Sequence, residues 1–275
     1  MSTLNAELGM AVAAFAARRH VLIAVDFDGT LAPFVIDPMQ ARAMPGGLEA
    51  LAAAAALDGV TVAIVSGRDL ETLSALTGFG PGDDVVLIGS HGAQSSPSGQ
   101  SGLDEAAAAR LSVVGAELEA IRARFPAVRL EHKPSAVVMH TRGVDAPTAQ
   151  AATAAALEVG TRHPGVQVMP GKSVVELTVV EASKGTAIRA LARSNNSEAT
   201  LYIGDDVTDE RAFAALDPAS GDLSVKVGEG ATTAVQRVPD QESVVALLEL
   251  FVARRRAEQA DGEPQHGQGS PASGT

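Results

Sequence analysis

Short runs of Val, Ile and Leu alternate with Ala-rich stretches in two separated parts of this 275-residue sequence. Runs of this length, each ended by Gly or polar residues and followed by a helical pattern, are typical of a parallel sheet with helices on its faces. We therefore predict an α/β fold. The predicted strands are residues 21–25, 60–65, 85–88, 200–203 and 224–227, and the predicted helices are residues 48–57, 70–76, 184–193, 209–216 and one that ends near residue 255.

A different pattern lies between the two α/β parts. Residues 93–102 are rich in Ser, Gly and Gln, which suggests a linker. After it come predicted helices at 103–125 and 146–158 and predicted strands at 128–131, 136–141, 166–169 and 174–179, the last two joined at Pro170-Gly171. We predict a discontinuous core of residues 1–95 and 180–257, an inserted α+β domain of residues 96–179, and a disordered tail of residues 258–275.

The composition limits the ligands. With a net charge of −12 and 3% aromatic residues, the chain is a poor match for nucleic acid or anionic lipid, so a phosphorylated ligand must be small and met by a local group of cations. The absence of cysteine excludes disulfides, thiolate nucleophiles and Cys-ligated zinc. No apolar run approaches the ~20 residues that span a bilayer, and the patch at residues 10–17 lacks the preceding basic region of a secretory signal. We expect a monomeric cytoplasmic protein with no nucleic-acid or membrane partner.

Two carboxylates follow the first predicted strand directly, in the pentapeptide DFDGT at residues 26–30. In an open α/β sheet ligands bind beyond the carboxyl ends of the strands, and side-chain alternation points Asp26 and Asp28 the same way. One carboxylate can attack phosphorus while the other protonates the leaving alcohol and then deprotonates water. An Asx turn is the alternative interpretation of this pattern by itself.

A second acidic group follows the predicted strand at residues 200–203, in the segment GDDVTDE at residues 204–210. Asp205, Asp206 and Asp209 would repel one another at one strand end without a cation, and Mg²⁺ prefers such oxygen ligands. A helix N-terminus capped by Asp206 or Thr208 is compatible with the same residues. The similar tripeptide GDD at residues 82–84 precedes its strand, so it is predicted to be an ordinary turn at the opposite edge of the sheet.

Two further segments offer groups that bind phosphate. Ser66 follows the predicted strand at residues 60–65, where its hydroxyl and the N–H groups of Gly67 and Arg68 can bind phosphate oxygens. Lys184 opens the helix after the insert, where its ammonium can pair with the phosphate and with the Asp26 carboxylate. Each segment is weak evidence alone, because Ser-Gly turns and surface lysines are common.

The order of these motifs resembles that of phosphatases of the haloacid dehalogenase superfamily. Six longer strings are similar to the trehalose-6-phosphate phosphatase family within it: DFDGTLAP from Asp26, SGR from Ser66, SHGA from Ser90, EHK from Glu131, HTR from His140 and GDDVTDE from Gly204. The resemblance implies a haloacid dehalogenase-like Rossmannoid parallel sheet core with an inserted α+β cap domain of type C2B. It also implies a phosphoric monoester hydrolase that uses Mg²⁺ and an aspartyl-phosphate to convert trehalose 6-phosphate to trehalose, the last step of trehalose biosynthesis.

The resemblance assigns roles to the matched residues. It implies Asp26 as the nucleophile and Asp28 as the acid/base, with Ser66 and Lys184 as catalytic residues that hold the phosphate. Mg²⁺ would bind Asp26, the carbonyl of Asp28, and Asp205, and Asp206 and Asp209 would support these ligands. The predicted substrate-binding residues are Thr30, Gly67, Arg68, His91, Glu131, Lys133, Arg142, Lys172 and Glu176.

The cap is expected to select the sugar. Glu131 and Lys133 share one face of a predicted strand and offer acceptors and donors for sugar hydroxyls. A solvated sheet face is the alternative interpretation of these charges, and His91 is as compatible with packing as with a substrate contact. Lys133 is followed by Pro134, where relatives commonly have Gly, and proline removes an N–H donor and stiffens the strand.

Three other functions fit the sequence less well. A nucleotide-binding loop at residues 171–173 (GKS) fails because Val166 stands where the first Gly is required and a strand-like run follows. A catalytically inactive sugar-phosphate sensor would lack a catalytic carboxylate, whereas Asp26, Asp28 and Asp205 are all present. A phosphatase of another glycoside phosphate, of sucrose, glucosylglycerol or mannosylglycerate type, would share the core and differ in the cap.

Overall fold

The computed structural model describes residues 4–96, 105–171, 173–179 and 183–262. The helices are α1 (Ala6–Ala16), α2 (Gly47–Ala55), α3 (Leu70–Thr77), α4 (Glu105–Arg124), α5 (Ala146–Arg162), α6 (Lys184–Ser194), α7 (Val207–Phe213) and α8 (Gln241–Gly262). The strands are β1 (Val21–Asp26), β2 (Val60–Val65), β3 (Val85–Gly89), β4 (Gln94–Ser95), β5 (Arg129–Lys133), β6 (Ala136–His140), β7 (Gln167–Gly171), β8 (Val174–Thr178), β9 (Ala199–Gly204), β10 (Leu223–Val227) and β11 (Gln236–Val238).

A seven-stranded sheet forms the core, in the order β11-β10-β9-β1-β2-β3-β4. All neighbouring strands in it are parallel except β3 and β4, which are antiparallel. Strand β1 lies between β2 and β9 and is buried along its whole length. The carboxyl ends of β1, β2 and β9 therefore meet at one edge of the sheet.

Helices cover both faces of this sheet. Helices α1, α2, α3 and α8 form one apolar layer with alternate residues of β1, including Ile23 and Val25. Helices α6 and α7 pack on the other face, against Leu22 and Ala24. Because successive side chains of a strand point to opposite faces, a strand buried on both sides reads as a continuous apolar run.

Within the described residues, no helix combines the length and apolarity needed to cross a membrane.

A second, four-stranded antiparallel sheet is inserted in the chain between β4 and α6, in the order β5-β6-β8-β7. Helices α4 and α5 cover one face of it, and their apolar side chains pack on Val137, Met139, Val175 and Leu177. The alternate positions of the same strands carry several charged residues. We call this second face, which includes Glu131, Lys133 and Glu176, the charged face of the cap.

The predicted α/β fold with an inserted α+β cap is confirmed, and three local predictions differ from the structure. Strand β4 lies inside the predicted linker and pairs with β3. Pro170 lies in β7 and not in the turn before β8; this is tolerated because β7 is an edge strand of its sheet. Helix α8 continues past Arg255 to Gly262 because residues 256–260 are good helix formers and Gln259 donates to the Asp58 carbonyl at 3.1 Å.

Candidate active site

The first motif lies at the carboxyl end of the central strand, as the sequence predicted. Asp26 is the last residue of β1 and its side chain is buried. Phe27 points into the core, whereas Asp28 lines the same cavity as Asp26. Oδ1 of Asp26 accepts the backbone N–H of Phe27 at 2.7 Å and lies 2.8 Å from Nζ of Lys184. Oδ2 is therefore the oxygen of Asp26 that these two donors do not engage.

Gly29 and Thr30 bring the second acidic group up to the first. Gly29 has a φ of +85°, and a Cβ on it would lie 2.2 Å from Oδ2 of Asp205. Only glycine accepts both this backbone conformation and this close carboxylate. The hydroxyl of Thr30 donates to Oδ1 of Asp205 at 3.1 Å. Thr30, predicted to bind substrate, therefore contacts Asp205 in this structure.

Asp26, Asp205 and Asp209 form an acidic cluster, with one oxygen of each within 4.8 Å of the others. Asp209 is fully buried and its two oxygens are already engaged. Oδ1 accepts from Nζ of Lys184 at 2.8 Å and from the hydroxyl of Tyr202 at 2.6 Å. Oδ2 accepts the backbone N–H groups of Asp205 and Asp206, each at 2.8 Å. Asp209 therefore organises the site, and Asp26 and Asp205 are the carboxylates with capacity for a cation.

Burial raises the pKa of Asp26 to about 8, although the nearby Lys184 acts in the opposite direction. Burial also raises the pKa of Asp205 to about 6, partly offset by the hydrogen bond from Thr30. Burial opposes the charge of Lys184, but the carboxylates of Asp26 and Asp209 outweigh it and raise the pKa of the ammonium. One ammonium thus faces more negative charge than it can neutralise. A hard divalent cation with oxygen ligands fits this donor set.

The motif after β2 surrounds the same cavity. Ser66 is buried, and its hydroxyl accepts the backbone N–H of Arg68 at 3.1 Å. The Arg68 side chain turns towards Asp28, with Nε donating to Oδ2 at 2.7 Å and Nη2 to Oδ1 at 2.6 Å. Its Nη1 donates to the Pro38 carbonyl at 2.8 Å. Arg68, predicted to bind substrate, is in this structure a bidentate partner of the predicted acid/base.

His91 lies between the segment Ser66-Gly67-Arg68 after β2 and the cap. Ser90 and His91 have left-handed φ values of 49° and 55°, which are uncommon for residues other than glycine and often occur at functional sites. The ring lies so close to Gly67 that a Cβ there would be 2.6 Å from it. Burial and the charge of Lys184 lower the pKa of His91, so the ring is neutral near pH 7. Among the described side chains, its buried Nδ1 has no hydrogen-bond partner.

Lys184 is positioned by the start of α6. The Ser183 side chain caps this helix by accepting the N–H of Thr186 at 3.1 Å, and Thr186 reciprocates by accepting the N–H of Ser183 at 2.9 Å. This capping box fixes the first turn, in which Lys184 is 3% exposed. A buried lysine keeps its charge only beside carboxylates, which Asp26 and Asp209 supply.

Three of the predicted sugar-binding residues of the cap, Glu131, Lys133 and Glu176, share the charged face. Glu131 lies opposite Val138 on the neighbouring strand, and Val138 in turn lies opposite Glu176. Nζ of Lys133 lies 3.0 Å from Oε2 of Glu176, and Nε2 of His140 lies 2.9 Å from Oε2 of Glu131. This face therefore offers paired donors and acceptors of the kind that hydroxyl groups require.

The remaining predicted residues are less central. The charges of Glu176 and Lys133 act on the His91 ring, so this part of the cap lies near the core site. Arg142 is exposed in the turn after β6. Lys172 lies outside the described residues. Asp206 caps α7, as the sequence allowed, and also lines the cavity.

One cavity of about 310 Å³ collects most of these side chains. A second cavity, of about 240 Å³, shares His91, Lys184 and Thr208 with it and extends to the β7 edge of the cap. The first cavity is lined by Asp26, Asp28, Phe34, Pro38, Ser66, Gly67, Arg68, His91, Lys184, Asp206 and Thr208.

Sequence reasoning missed several residues of the site, including Tyr202, Phe34 and Lys226. Tyr202 donates to Asp209, Phe34 lines the cavity, and buried Lys226 donates to the Asp205 carbonyl. Lys226 carried a usable signal, because a lysine inside an apolar strand requires a buried partner. Phe34 carried no such signal, because it lies in a surface loop, where the sequence has no repeating pattern of apolar residues that would indicate where a side chain points.

The fold is that of haloacid dehalogenase-like hydrolases. A solved haloacid dehalogenase-like hydrolase from B. subtilis matches with a TM-score of 0.53 over 83% of this chain and 98% of that one, and its 17% identity shows the fold alone. The sequence model of the trehalose-phosphatase family matches residues 24–243. The chain belongs to the trehalose-phosphatase family.

Individual relatives agree with this family. The trehalose-phosphate phosphatase of Mycobacterium bovis (strain BCG / Pasteur 1173P2) is 35% identical over 251 residues, which cover 86% of this chain and 63% of the relative. The trehalose-phosphate phosphatase of Mycobacterium avium (strain 104) is 36% identical over 210 residues, which cover 73% of this chain and 52% of the relative. This chain therefore matches less than two-thirds of the length of these curated relatives. A solved trehalose-6-phosphate phosphatase related protein matches with 30% identity and a TM-score of 0.65, over 84% of this chain and 97% of that one. The solved trehalose-6-phosphate phosphatase of Aspergillus fumigatus matches with 25% identity and a TM-score of 0.68, over 92% of this chain and 100% of that one.

Proposed function

We propose that this chain hydrolyses trehalose 6-phosphate to trehalose and inorganic phosphate, the last step of trehalose biosynthesis, through an aspartyl-phosphate on Asp26. The observation that carries the proposal is the position of Asp26 at the end of the central strand, 2.8 Å from the Lys184 ammonium and within 4.8 Å of the Asp205 carboxylate. This arrangement combines a nucleophile, a phosphate-binding cation and a cation-binding carboxylate in one cavity.

The residues divide the reaction into two displacements. In the first, an oxygen of Asp26 bonds to phosphorus while the bond from phosphorus to the sugar oxygen breaks, and Asp28 donates a proton to that oxygen. In the second, Asp28 takes a proton from water, the water oxygen bonds to phosphorus, and the bond to Asp26 breaks, which releases inorganic phosphate. Ser66 and Lys184 hold the phosphate oxygens throughout.

A magnesium ion is part of the proposal. Asp26, the Asp28 carbonyl and Asp205 would hold it, and Asp209 would fix Asp205 through its backbone N–H. When bound, such an ion neutralises charge on the phosphate and lowers the proton affinity of the carboxylates around it. It would thereby keep Asp26 ionised at neutral pH, where burial alone favours its protonated form.

The charged face of the cap supports a polyhydroxylated leaving group. Glu131 and Lys133 are each paired with another side chain of that face, so hydroxyl groups can exchange with existing hydrogen bonds instead of meeting isolated charges. The domain limits at residues 95–96 and 179–180, a cytoplasmic location, a monomeric state and the lack of nucleic-acid or membrane partners belong to the same proposal. The net charge of −12 supports the lack of nucleic-acid and anionic-membrane partners, and the separate core of the inserted sheet supports the domain limits.

Phosphate release from trehalose 6-phosphate, with Mg²⁺ and with EDTA, tests the proposal. Asp26→Asn should reduce turnover by more than about a thousandfold, because the nucleophile is lost. Asp84→Asn is the matched control, since Asp84 is an exposed acidic residue before β3 at the opposite edge of the sheet, and it should leave turnover unchanged. Turnover of a sucrose-, glucosylglycerol- or mannosylglycerate-type phosphate in preference to the trehalose ester would overturn the substrate assignment. A phosphate analogue that binds away from Asp26 would overturn the mechanism.

A further inference from the structure

Phe34 is an aromatic side chain in an unusual environment for this protein. All eight aromatic residues of the sequence lie in the part of the chain that the structure describes. Phe34 is 72% exposed, and none of the other seven is classed as exposed. Keeping a phenyl ring in water forfeits the burial that stabilises such a side chain elsewhere. Its exposure therefore suggests a ligand that covers it.

The position of Phe34 identifies which part of the substrate it would meet. The ring lines the same cavity as Asp26 and Asp28, on the loop that follows the catalytic motif. The Pro38 carbonyl of that loop accepts a hydrogen bond of 2.8 Å from Arg68, which is also the partner of Asp28. The loop is thus tied to the predicted acid/base. The leaving alcohol must lie beside the residue that protonates it, so the loop that carries Phe34 and is tied to Asp28 borders the space that the alcohol would occupy.

The chemistry of a sugar fits this position. A pyranose ring presents faces of C–H groups between its hydroxyls, and the negative face of an aromatic ring attracts such weakly positive groups. Ligand pockets commonly combine an apolar or aromatic wall with a few oriented polar groups. Here the charged face of the cap would supply the polar groups and Phe34 the apolar wall.

We propose that Phe34 is a specificity-determining residue whose ring packs against the C–H face of the sugar that carries the phosphate. The inference rests on the proposed function and adds a sugar contact on the core side of the site. It concerns binding of the leaving group, and it leaves the roles of Asp26 and Asp28 unchanged.

The test compares kcat/KM for trehalose 6-phosphate with that for glycerol 3-phosphate, which is also an ester of a primary alcohol but has no ring. Phe34→Ala should lower kcat/KM for the trehalose ester by about fivefold, mainly through KM, and leave the glycerol ester within about twofold. Phe34→Trp should restore the value for the trehalose ester. Ile36→Ala is the matched control, because Ile36 is an apolar residue of the same loop that is 104% exposed and does not line the cavity.

The outcomes separate this inference from the proposed function. Wild-type protein that does not hydrolyse trehalose 6-phosphate overturns both. Wild-type turnover that Phe34→Ala leaves unchanged, or lowers equally for the two esters, overturns the role of Phe34 alone. The same loss in Ile36→Ala would also overturn it, because a general effect of the loop would then explain the result.

Discussion

The guanidinium of Arg68 holds both carboxylate oxygens of Asp28, at 2.7 Å from Nε to Oδ2 and 2.6 Å from Nη2 to Oδ1. A bidentate pair of this kind fixes the direction of a carboxylate as well as its charge. Its third donor group, Nη1, anchors the loop through the Pro38 carbonyl. Arg68 therefore sets the orientation of the side chain that we propose as the acid/base.

Arg68→Ala should lower kcat for trehalose 6-phosphate by roughly ten- to a hundredfold, because a misdirected acid protonates the sugar oxygen poorly. The loss should be much smaller for p-nitrophenyl phosphate, whose phenolate leaves without a proton. Arg68→Lys should behave like the alanine variant, since an ammonium cannot form the bidentate pair. Steady-state kinetics with both substrates check this, and an equal loss on the two would contradict a role through Asp28.

Gly29→Ala should abolish cation binding and activity. The added Cβ would lie 2.2 Å from an oxygen of Asp205, so that carboxylate must move out of the acidic cluster. The matched control is Gly78→Ala, since Gly78 has a similar φ of +76° but no atom within 4 Å of a built Cβ. Both variants place a Cβ at a positive φ, and this backbone strain should lower the unfolding free energy by about 1–2 kcal/mol. Urea denaturation measures this loss. Calorimetric titration with Mg²⁺ should then show binding in Gly78→Ala only, and retained binding in Gly29→Ala would contradict the steric argument.

Cation binding should be coupled to proton release. Burial raises the pKa of Asp26 to about 8 and that of Asp205 to about 6, so in the cation-free protein Asp26 is mostly protonated at pH 7, and Asp205 becomes protonated as the pH falls to about 6. A bound cation requires the ionised carboxylates, and its apparent affinity should therefore fall as the pH is lowered from 9 to 6. Titration calorimetry in buffers of different ionisation enthalpy should detect protons released at pH 7 and fewer at pH 9.

Asp26→Asn is the informative variant in this experiment, because it removes the group with the higher pKa. Proton release near pH 7 should drop in this variant and persist in Asp84→Asn, whose carboxylate is exposed at the opposite edge of the sheet. An affinity for Mg²⁺ that does not change between pH 6 and pH 9 would show that the buried carboxylates are already ionised without the cation.

Arg255→Ala should destabilise the fold without changing the chemistry. Arg255 of α8 is 5% exposed, and its guanidinium donates to the carbonyls of Ala16, Arg19 and Asp58 at 2.8, 2.7 and 2.7 Å. Removing it leaves the buried Ala16 carbonyl and the partly buried carbonyls of Arg19 and Asp58 without this donor, which should cost about 3 kcal/mol of unfolding free energy. Arg256→Ala is the matched control, because Arg256 is exposed on the same helix. Urea denaturation checks the stability, and an unchanged unfolding midpoint for Arg255→Ala would refute the structural role.

Local patterns in the sequence determined most of the helices and strands and the edge of the sheet at which the candidate active site lies. Strand β2 was predicted with the bounds observed, and Asp26 and Asp205 were predicted at strand ends, because burial and alternation act over a few residues. The short strands β4 and β11 were missed, because two or three residues are too few to show the alternation of apolar and polar side chains that indicates a strand. Roles of individual residues came from the resemblance of their motifs to a family.

Only the tertiary structure decided which groups are partners. The sequence contains no sign that Arg68 pairs with Asp28, that Tyr202 donates to Asp209, or that the exposed Phe34 lines the same cavity as Asp26 and Asp28. Arg68 is 40 positions from Asp28, and Tyr202 is 7 positions from Asp209. Both contacts nevertheless depend on how strands and loops of different segments pack together. Charge and hydrogen-bond partners are properties of that packing, whereas strand, helix and strand-end position are properties of the local chain.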